Sequence, residues 1–186
     1  MSAWDKKRDI MQRYDVTAQI YDIRYAEEQT AKIEAALKHV KVKADSVLDV
    51  GCGTGILFSY VAGKATTTVG LDVSGKTLLR AKDRAKNYAN VHLIRADADN
   101  MPFKRKVFSM VFAMTLIQNT PNPGETLDEI ERVAKADAAI VATGMKKIFT
   151  KKTFELLLTN AGLNIEALEA EDLKCYVAIC TKTHRV

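Results

Sequence analysis

The chain has 186 residues, 47% of them hydrophobic and 27% charged, which suits one globular domain with a sizeable core. No apolar run approaches the roughly 20 residues of a membrane-spanning helix, and the N-terminus MSAWDKKR lacks the apolar segment of a secretory signal. With three cysteines in no metal-type spacing, these features predict a cytoplasmic protein without a membrane segment or a metal site.

The net charge of +5 allows an acidic partner such as RNA. The basic residues are nevertheless spread along the chain, acids are interleaved with them, and no series of aromatic residues accompanies them. A solvated basic surface is therefore the favoured interpretation, and RNA binding stays open as the alternative.

The N-terminal stretch contains two Tyr-Asp pairs within the sequence RYDVTAQIYDIRY, residues 13–25. Tyr14, Tyr21 and Tyr25 are spaced so that one face of a helix can carry them all. Such a stripe can simply pack the segment against the domain, or it can also present a hydroxyl group to a ligand. Residues 26–40 follow with helical periodicity and predict a helix.

Residues 46–55, SVLDVGCGTG, combine a short apolar run with three closely spaced glycines. The run Val47–Val50 predicts a buried strand, and residues 56–62 predict a helix that begins near Gly55. Glycine permits backbone angles and close approaches that a Cβ would obstruct, and the first N–H groups of a helix can hold a polar or anionic ligand. A helix-entry turn without a ligand is the alternative interpretation.

A second strand is predicted over residues 67–72, and it ends in an acid about twenty residues beyond the first glycine. In nucleotide-binding βαβ units an acid at this place binds the ribose hydroxyl groups, so Asp72 is the candidate for that contact. The alternative is that Asp72 caps the next helix, which is predicted over residues 74–86, but Ser74 can do so equally well.

A third strand over residues 91–95 leads to Asp97 and Asp99 in the loop at its carboxyl end. The carboxyl ends of parallel strands border the same crevice, so Asp97 is expected near Asp72 and the glycines. The remaining pattern predicts a strand over 108–114, a loop over 115–119, a helix over 125–135, a strand over 138–142, a helix over 150–161, and a hairpin of strands over 163–170 and 174–181 at the edge of the sheet.

The glycine spacing distinguishes between nucleotide-binding families. In dinucleotide folds the pattern is G-x-G-x-x-G, whereas here the third glycine comes one position early, which disfavours a nicotinamide-dependent oxidoreductase. From about residue 14 to 181, the sequence resembles the class I S-adenosylmethionine-dependent methyltransferases. The resemblance is carried by DVGCGTG at residues 49–55, by the strand that ends at Asp72, and by ADADNMPF at residues 96–103.

The resemblance implies an α/β fold with a Rossmann-like, doubly wound, seven-stranded sheet that is mostly parallel with an antiparallel last strand. It also implies that residues 1–44 form a helical cap or lid and that residues 45–186 form the domain that binds S-adenosyl-L-methionine and releases S-adenosyl-L-homocysteine. Asp97 takes the position that meets the adenine amino group, and Tyr21 would reach the methionine end. The implied cofactor-binding residues are Tyr21, Asp49, Gly51, Cys52, Gly53, Gly55, Asp72, Val73, Asp97, Ala98 and Met114.

Methyl transfer from a sulfonium requires mainly alignment and exclusion of water, so a catalytic base is optional. Should a proton be removed, Tyr21 and a water near Asn119 are the candidates. Amino-methylases of nucleic-acid bases and protein glutamine often carry an N/D-P-P-Y/F element after the fourth strand, and this element is absent here. Cytosine C5 enzymes need a nucleophilic cysteine near the crevice, and the one nearby cysteine, Cys52, lies in the glycine loop. Both classes are therefore disfavoured. We therefore expect a small-molecule acceptor, with a tRNA-modification or protein methyltransferase, or a non-catalytic subunit that binds the cofactor, as the alternatives.

Overall fold

Two helices precede an alternation of strands and helices in the computed structural model, which describes residues 3–18 and 20–183 and, of Ala3 and Tyr21, only the backbone. The helices are α1 (Ala3–Thr17), α2 (Tyr21–Leu37), α3 (Phe58–Val61), α4 (Gly75–Ala85), α5 (Pro123–Val133) and α6 (Lys151–Asn160). The strands are β1 (Ala44–Val50), β2 (Ala65–Asp72), β3 (Val91–Arg95), β4 (Phe108–Ala113), β5 (Ala134–Met145), β6 (Leu163–Glu169) and β7 (Cys175–Lys182).

All seven strands belong to one sheet in the order β3-β2-β1-β4-β5-β7-β6. The first five strands pair in parallel, and β7 is antiparallel to both of its neighbours. This confirms the predicted Rossmann-like α/β fold. The predicted terminal hairpin forms at the edge of the sheet, and the last strand, β7, is antiparallel as expected and lies between β5 and the edge strand β6.

Helices cover both faces of the sheet, and the side chains of β4 point alternately to one face and to the other. Val111 and Ala113 belong to the apolar cluster that includes residues of α5 and α6, whereas Met110 and Phe112 belong to the cluster that includes residues of α2. Successive side chains of a strand point to opposite faces, so one short strand contributes to two cores. Burial on both faces explains why the strand sequences are apolar throughout.

The segment after β1 differs from the prediction. A helix was expected over residues 56–62, but α3 has four residues and continues into a 3-10 turn at Ala62–Lys64. Gly55 has a φ of +78°, a left-handed conformation that cannot belong to a right-handed helix. The element that follows β1 is therefore the glycine turn (residues 51–55), and the expectation of a helix start near Gly55 is wrong.

Two other helix boundaries differ from the prediction. The helix predicted over residues 26–40 begins earlier, because α2 runs over Tyr21–Leu37, and a further helix, α1, precedes it at Ala3–Thr17. The helix predicted to residue 135 ends at Val133, because Ala134 already pairs with Phe108 of β4. Interstrand pairing thus takes precedence over the helical periodicity of this segment.

Gly144 of β5 offers a test of the packing between the sheet and α6. A Cβ at Gly144 would lie 2.6 Å from Cδ2 of the buried Phe154 ring, closer than the 3.0 Å below which real Cβ atoms are essentially never found. We expect Gly144→Ala to lower the free energy of unfolding by about 1–3 kcal/mol, measured by urea denaturation. Gly63→Ala is the control, because a Cβ there meets no atom within 4 Å. Equal stability of the two variants would contradict the described packing.

Candidate functional site

The glycine turn exposes its backbone at the carboxyl end of β1. Gly51, Gly53 and Gly55 have φ values of +71°, +54° and +78°, a conformation that glycine adopts without strain. The N–H groups of Gly51 and Cys52 both donate to the carbonyl of Leu71, at 2.7 and 3.0 Å, which fixes the turn to the end of β2. A Cβ on Gly53 would meet no atom within 4 Å, so the backbone of Gly53 faces open space.

Asp72 connects this turn to the start of α4. Its Oδ2 accepts from the N–H of Gly53 and its Oδ1 from the N–H of Ser74, both at 2.8 Å. Burial raises the pKa of Asp72, although the two backbone N–H groups counteract that shift. Ser74 is the N-cap of α4 and accepts from the N–H of Thr77 at 3.2 Å. The helix-cap interpretation of Asp72 is therefore wrong, and its carboxylate instead joins the glycine turn to the segment that leads into α4.

Two adjoining cavities open at this end of the sheet. The larger, about 790 Å³ including space open to solvent, is lined by the predicted residues Gly51, Gly53, Asp72, Val73, Asp97, Ala98, Met114 and Asn119. The smaller, about 370 Å³ on the same measure, is lined by the predicted residues Asp49, Gly51, Cys52, Gly53 and Met114. Because both cavities are bordered by the two glycines and Met114, they lie side by side, and the two together are termed the elongated cleft.

Two predicted site residues are not placed in this cleft. Gly55 lines neither cavity, and a Cβ there would lie 2.4 Å from the ring of Phe58, so its role is close packing within the turn. The side chain of Tyr21 lies outside the described part of the chain, so its predicted contact with the methionine end stays a prediction. Cys52 is buried in the smaller cavity wall, and burial raises the pKa of its thiol.

One face of α1 forms a wall of the larger cavity. Lys7, Ile10 and Tyr14, spaced three and four residues apart, line it. Nζ of Lys7 lies 2.6 Å from Oδ2 of Asp97 and 2.6 Å from Oδ2 of Asp99. Burial alone would lower the pKa of Lys7, but its bonds to the two aspartates raise it. Sequence analysis missed this lysine, although it continues the helical stripe of Tyr14 towards the N-terminus.

The aspartates of the two Tyr-Asp pairs fasten α1 and α2 to the cleft. Oδ1 of Asp15 accepts from Ser74 Oγ at 2.5 Å. Oδ1 of Asp22 accepts from Thr54 Oγ1 at 2.6 Å, and its Oδ2 pairs with Nη2 of Arg84 at 2.8 Å. Sequence analysis weighed only the tyrosines of these pairs, whereas the aspartates carry the anchoring contacts.

Asp49 is the buried acid of the smaller cavity, with 2% of its surface exposed. Burial, and to a lesser degree the charge of Asp72, raises the pKa of Asp49 to about 8. The carboxyl group is therefore largely protonated at neutral pH in the ligand-free protein. A cationic group brought next to it would favour its ionised form.

Within residues 3–18 and 20–183, no group of three or more His, Cys, Asp or Glu side chains is arranged to hold a metal ion. Across the same described residues, no helix combines the length and the apolar character needed to cross a bilayer. The polar groups that line the cleft are carboxyl groups, backbone N–H groups, hydroxyl groups, amides, the ammonium group of Lys7 and the thiol of Cys52.

Comparison with known proteins identifies the family. The family model described as "Methyltransferase domain" matches residues 48–142, which include the glycine turn, Asp72, Asp97 and β4. The chain belongs to this methyltransferase family. The family and the fold expected from the sequence are thus confirmed.

Curated methyltransferases extend the similarity beyond that match. The chain is 31% identical over 144 residues to malonyl-[acyl-carrier protein] O-methyltransferase of Marinomonas sp., covering 76% of this chain and 53% of the relative. It is 37% identical over 106 residues to demethylmenaquinone methyltransferase of Staphylococcus haemolyticus, covering 55% of this chain and 44% of the relative. The chain thus spans about half the length of the curated relatives it matches.

Solved structures share the methyltransferase fold. Burkholderia thailandensis 1,6-didemethyltoxoflavin-N1-methyltransferase, solved with bound S-adenosylhomocysteine, aligns with a TM-score of 0.83 at 14% identity, over 98% of this chain and 91% of that one. The putative methyltransferase in complex with the Trm112 activator of Haloferax volcanii aligns with a TM-score of 0.81 at 16% identity, over 92% of this chain and 98% of that one. At such identities the likeness concerns the fold alone.

The raised pKa of Asp49 predicts how stability depends on pH. The folded protein holds the Asp49 proton more tightly than the unfolded chain, so this stabilisation is complete below about pH 4 and is lost as pH rises through about 8. We expect the free energy of unfolding of the unsubstituted protein, relative to Asp49→Asn, to fall by an amount on the order of a few kcal/mol between about pH 5 and pH 8.5.

Urea denaturation at both pH values measures this difference. Asp137→Asn, which removes an exposed aspartate of β5, is the matched control and should show no such trend. A pH-independent difference for Asp49→Asn would mean that the carboxyl group is ionised in both states.

Proposed function

We propose that the protein binds S-adenosyl-L-methionine in the elongated cleft and transfers its methyl group to a small-molecule acceptor. The observation that carries the proposal is the Asp72 carboxylate, bonded to the N–H of Gly53 where the two cavities join. Asp72 lines the larger cavity, where its carboxylate oxygens can also accept hydrogen bonds from the ribose hydroxyl groups.

The proposed orientation places the adenosine in the larger cavity. Asp97 lines this cavity and can accept a hydrogen bond from the adenine amino group. The apolar neighbours of the base are Val73, Ala98 and Met114. The methionine end then enters the smaller cavity, where Asp49 can face its ammonium group. The open space at Gly53 supports this fit, because a side chain at that position would project into the cleft.

S-adenosylmethionine, when bound, would supply an activated methyl group for transfer to an acceptor nucleophile. The protein then needs to align the reactants and exclude water. Asn119 lines the larger cavity, and its Nδ2 donates to the hydroxyl of Tyr14 at 2.9 Å and to the carbonyl of Thr115 at 2.7 Å. Burial, followed by the charge of Asp72, raises the pKa of Tyr14 to about 12. These two residues are therefore suited to orient an acceptor rather than to deprotonate it.

A small-molecule acceptor is supported by the lining of the larger cavity. Ile10, Leu116 and Pro121 supply apolar surface near Asn119. Among the described residues that line the two cavities, Lys7 is the only cation, and it is paired with two aspartates. This arrangement does not favour a polyanion in the cleft, so tRNA is the less supported acceptor, and a protein acceptor stays the other alternative. The relatives named as methyltransferases of malonyl-acyl carrier protein and of demethylmenaquinone agree with methyl transfer as the proposed reaction.

A second candidate function is that of a cofactor-binding subunit that works with a partner. The fold neighbour from Haloferax volcanii, which was solved in complex with an activator, motivates this alternative. Turnover of any acceptor by the isolated chain would contradict an obligatory partner. Tight cofactor binding without turnover would support it.

Titration calorimetry with S-adenosylmethionine, S-adenosylhomocysteine and NAD tests the proposal. We expect binding of the two adenosyl ligands and none of NAD. Asp72→Ala removes charge-assisted contacts worth about 1.5–3 kcal/mol, so the dissociation constant should rise about ten- to hundredfold. Asp83→Ala, at an exposed aspartate of α4, is the matched control and should bind normally.

Thermal melting of the Asp72→Ala variant, compared with the unsubstituted protein, separates lost contacts from lost structure. Unchanged affinity in a folded Asp72→Ala protein would refute the ribose contact. Binding of NAD alone would refute the cofactor.

A further inference from the structure

The junction between α1 and α2 presents apolar side chains to solvent. Val16 is 79% exposed, Ile23 is 86% exposed, and Ile20 between them is 38% exposed. Single exposed apolar residues are common on protein surfaces, but several of them on one short segment indicate an interaction site. Val16, Ile20 and Ile23 are termed the apolar ridge.

Contacts on the other side of this segment fix it along α4. Oδ1 of Asp15 accepts from the N–H of Lys76, in the first turn of α4, at 3.2 Å. Oδ2 of Asp22 pairs with Nη2 of Arg84, in the last turn of α4, at 2.8 Å. Ala18 lies between these two aspartates in the chain and is 5% exposed. The inner side of the segment is thus attached to the domain, and the apolar ridge is left on its outer side.

Cations surround the apolar ridge. Arg13 and Arg24 are exposed and flank it along the chain, and Lys76 and Arg80 are exposed on the adjoining helix α4. Within the described part of the chain, none of the four side chains belongs to an ion pair. The two acids within residues 13–24 are the ones that contact α4. The outer side of the junction therefore combines apolar groups with unpaired positive charge.

The shape and the charge of this surface suit a lipid bilayer better than a protein partner. A protein would need a groove shaped to receive the projecting side chains of Val16 and Ile23, whereas lipids rearrange around them. The exposed cations match the negative charge of anionic lipids, and the net charge of +5 attracts the whole chain to such a surface. The nearest exposed acids along the chain, Asp9 and Glu27, lie about one helical turn beyond the two arginines.

We propose that the junction of α1 and α2 docks on the surface of a bilayer that contains anionic phospholipids. The apolar ridge enters the boundary between headgroups and acyl chains, and the four cations lie at the lipid phosphates. Such docking needs no membrane-spanning helix. It goes beyond the proposed function and does not depend on it.

Docking at this junction also has a consequence for the acceptor, which does rest on the proposed function. Another face of α1 lines the larger cavity through Lys7, Ile10 and Tyr14. The docked protein therefore holds the wall of that cavity beside the bilayer. An acceptor that partitions into lipid is then close to the cleft, and its apolar part is kept out of bulk water.

Co-sedimentation with vesicles tests the docking surface. Vesicles of phosphatidylcholine carry no net charge, and vesicles of phosphatidylcholine mixed with phosphatidylglycerol are anionic. We expect the unsubstituted protein to bind the mixed vesicles at least about tenfold more tightly than those of phosphatidylcholine, because the attractions of several cations to the surface add. Added salt should weaken binding to the mixed vesicles, because it screens these attractions.

We expect Val16→Ser combined with Ile23→Ser to weaken binding to the mixed vesicles about tenfold, because the groups that enter the bilayer lose their apolar surface. Ile148→Ser combined with Leu156→Ser is the matched control, since these residues are 57% and 50% exposed but lie outside the junction. The control variant should bind as tightly as the unsubstituted protein. Thermal melting checks that both double variants are folded.

The charged part of the surface has its own pair of variants. Arg13→Gln combined with Arg80→Gln should weaken binding to the mixed vesicles about tenfold and reduce its dependence on salt. Lys151→Gln combined with Lys152→Gln removes the same charge from exposed positions of α6 and should leave binding nearly unchanged. Equal losses in the two variants would mean that net charge alone attracts the chain, and would overturn the inference.

Binding to neither kind of vesicle, or equal binding to both, would overturn the inference. Full binding by the Val16→Ser and Ile23→Ser variant would overturn it too, because the contact would then lie elsewhere. Sedimentation velocity without lipid tests a second copy of the chain as the occupant. A dimer that this variant abolishes would assign the apolar ridge to self-association and would also overturn the inference.

Calorimetry with S-adenosylhomocysteine separates this inference from the proposed function. The Val16→Ser and Ile23→Ser variant should bind that ligand as the unsubstituted protein does, because the two residues line neither cavity. Weaker binding of the ligand by the folded variant would tie the apolar ridge to the cleft and overturn its assignment to the bilayer. Failure of the unsubstituted protein to bind the ligand would refute the proposed function and leave the vesicle result standing.

Discussion

The geometry of the cleft depends on the pair of hydrogen bonds that Asp72 accepts from Gly53 and Ser74. These bonds bring the turn after β1 and the helix after β2 to a common carboxylate. Ser74 in turn binds Asp15, so the position of α1 depends on the same small cluster. A single acid at the end of a strand thus sets the relative placement of three elements around the cleft, before any ligand binds.

The N-terminal helices are part of the cleft and are attached to it by polar contacts. α1 contributes Lys7 and Tyr14 to the larger cavity, and α2 contributes Gln29 to the smaller one. The attachment comes from bonds that cross between elements, such as those of Asp22 with Thr54 and Arg84. The domain boundary expected at residue 44 therefore does not separate the helices from the site residues that they contact.

The sequence was sufficient to predict the strand count, the parallel core and most of the cleft, because those features are local. Each predicted acid directly follows or interrupts an apolar strand, and parallel strands bring such positions to one edge. Lys7 and Lys32 could not be found in that way. In sequence they are lysines on amphipathic helices, and only the tertiary contacts with Asp97 or Glu28 distinguish them from solvated lysines. The short α3 was missed because apolar spacing says nothing of the left-handed backbone at Gly55.

The elevated pKa of Asp49 would link the binding of a cationic ligand group in the smaller cavity to proton release. At neutral pH the acid carries a proton, with a pKa of about 8, in the ligand-free protein. An ammonium group that settles against it favours the ionised form, so the proton leaves for the solvent as the ligand enters. Binding then exchanges one cation for another inside a buried cavity without changing the charge within it. The apparent affinity for such a ligand then rises with pH until Asp49 is already ionised in the ligand-free protein. The proton concentration of the solution is therefore one of the variables that set the binding equilibrium.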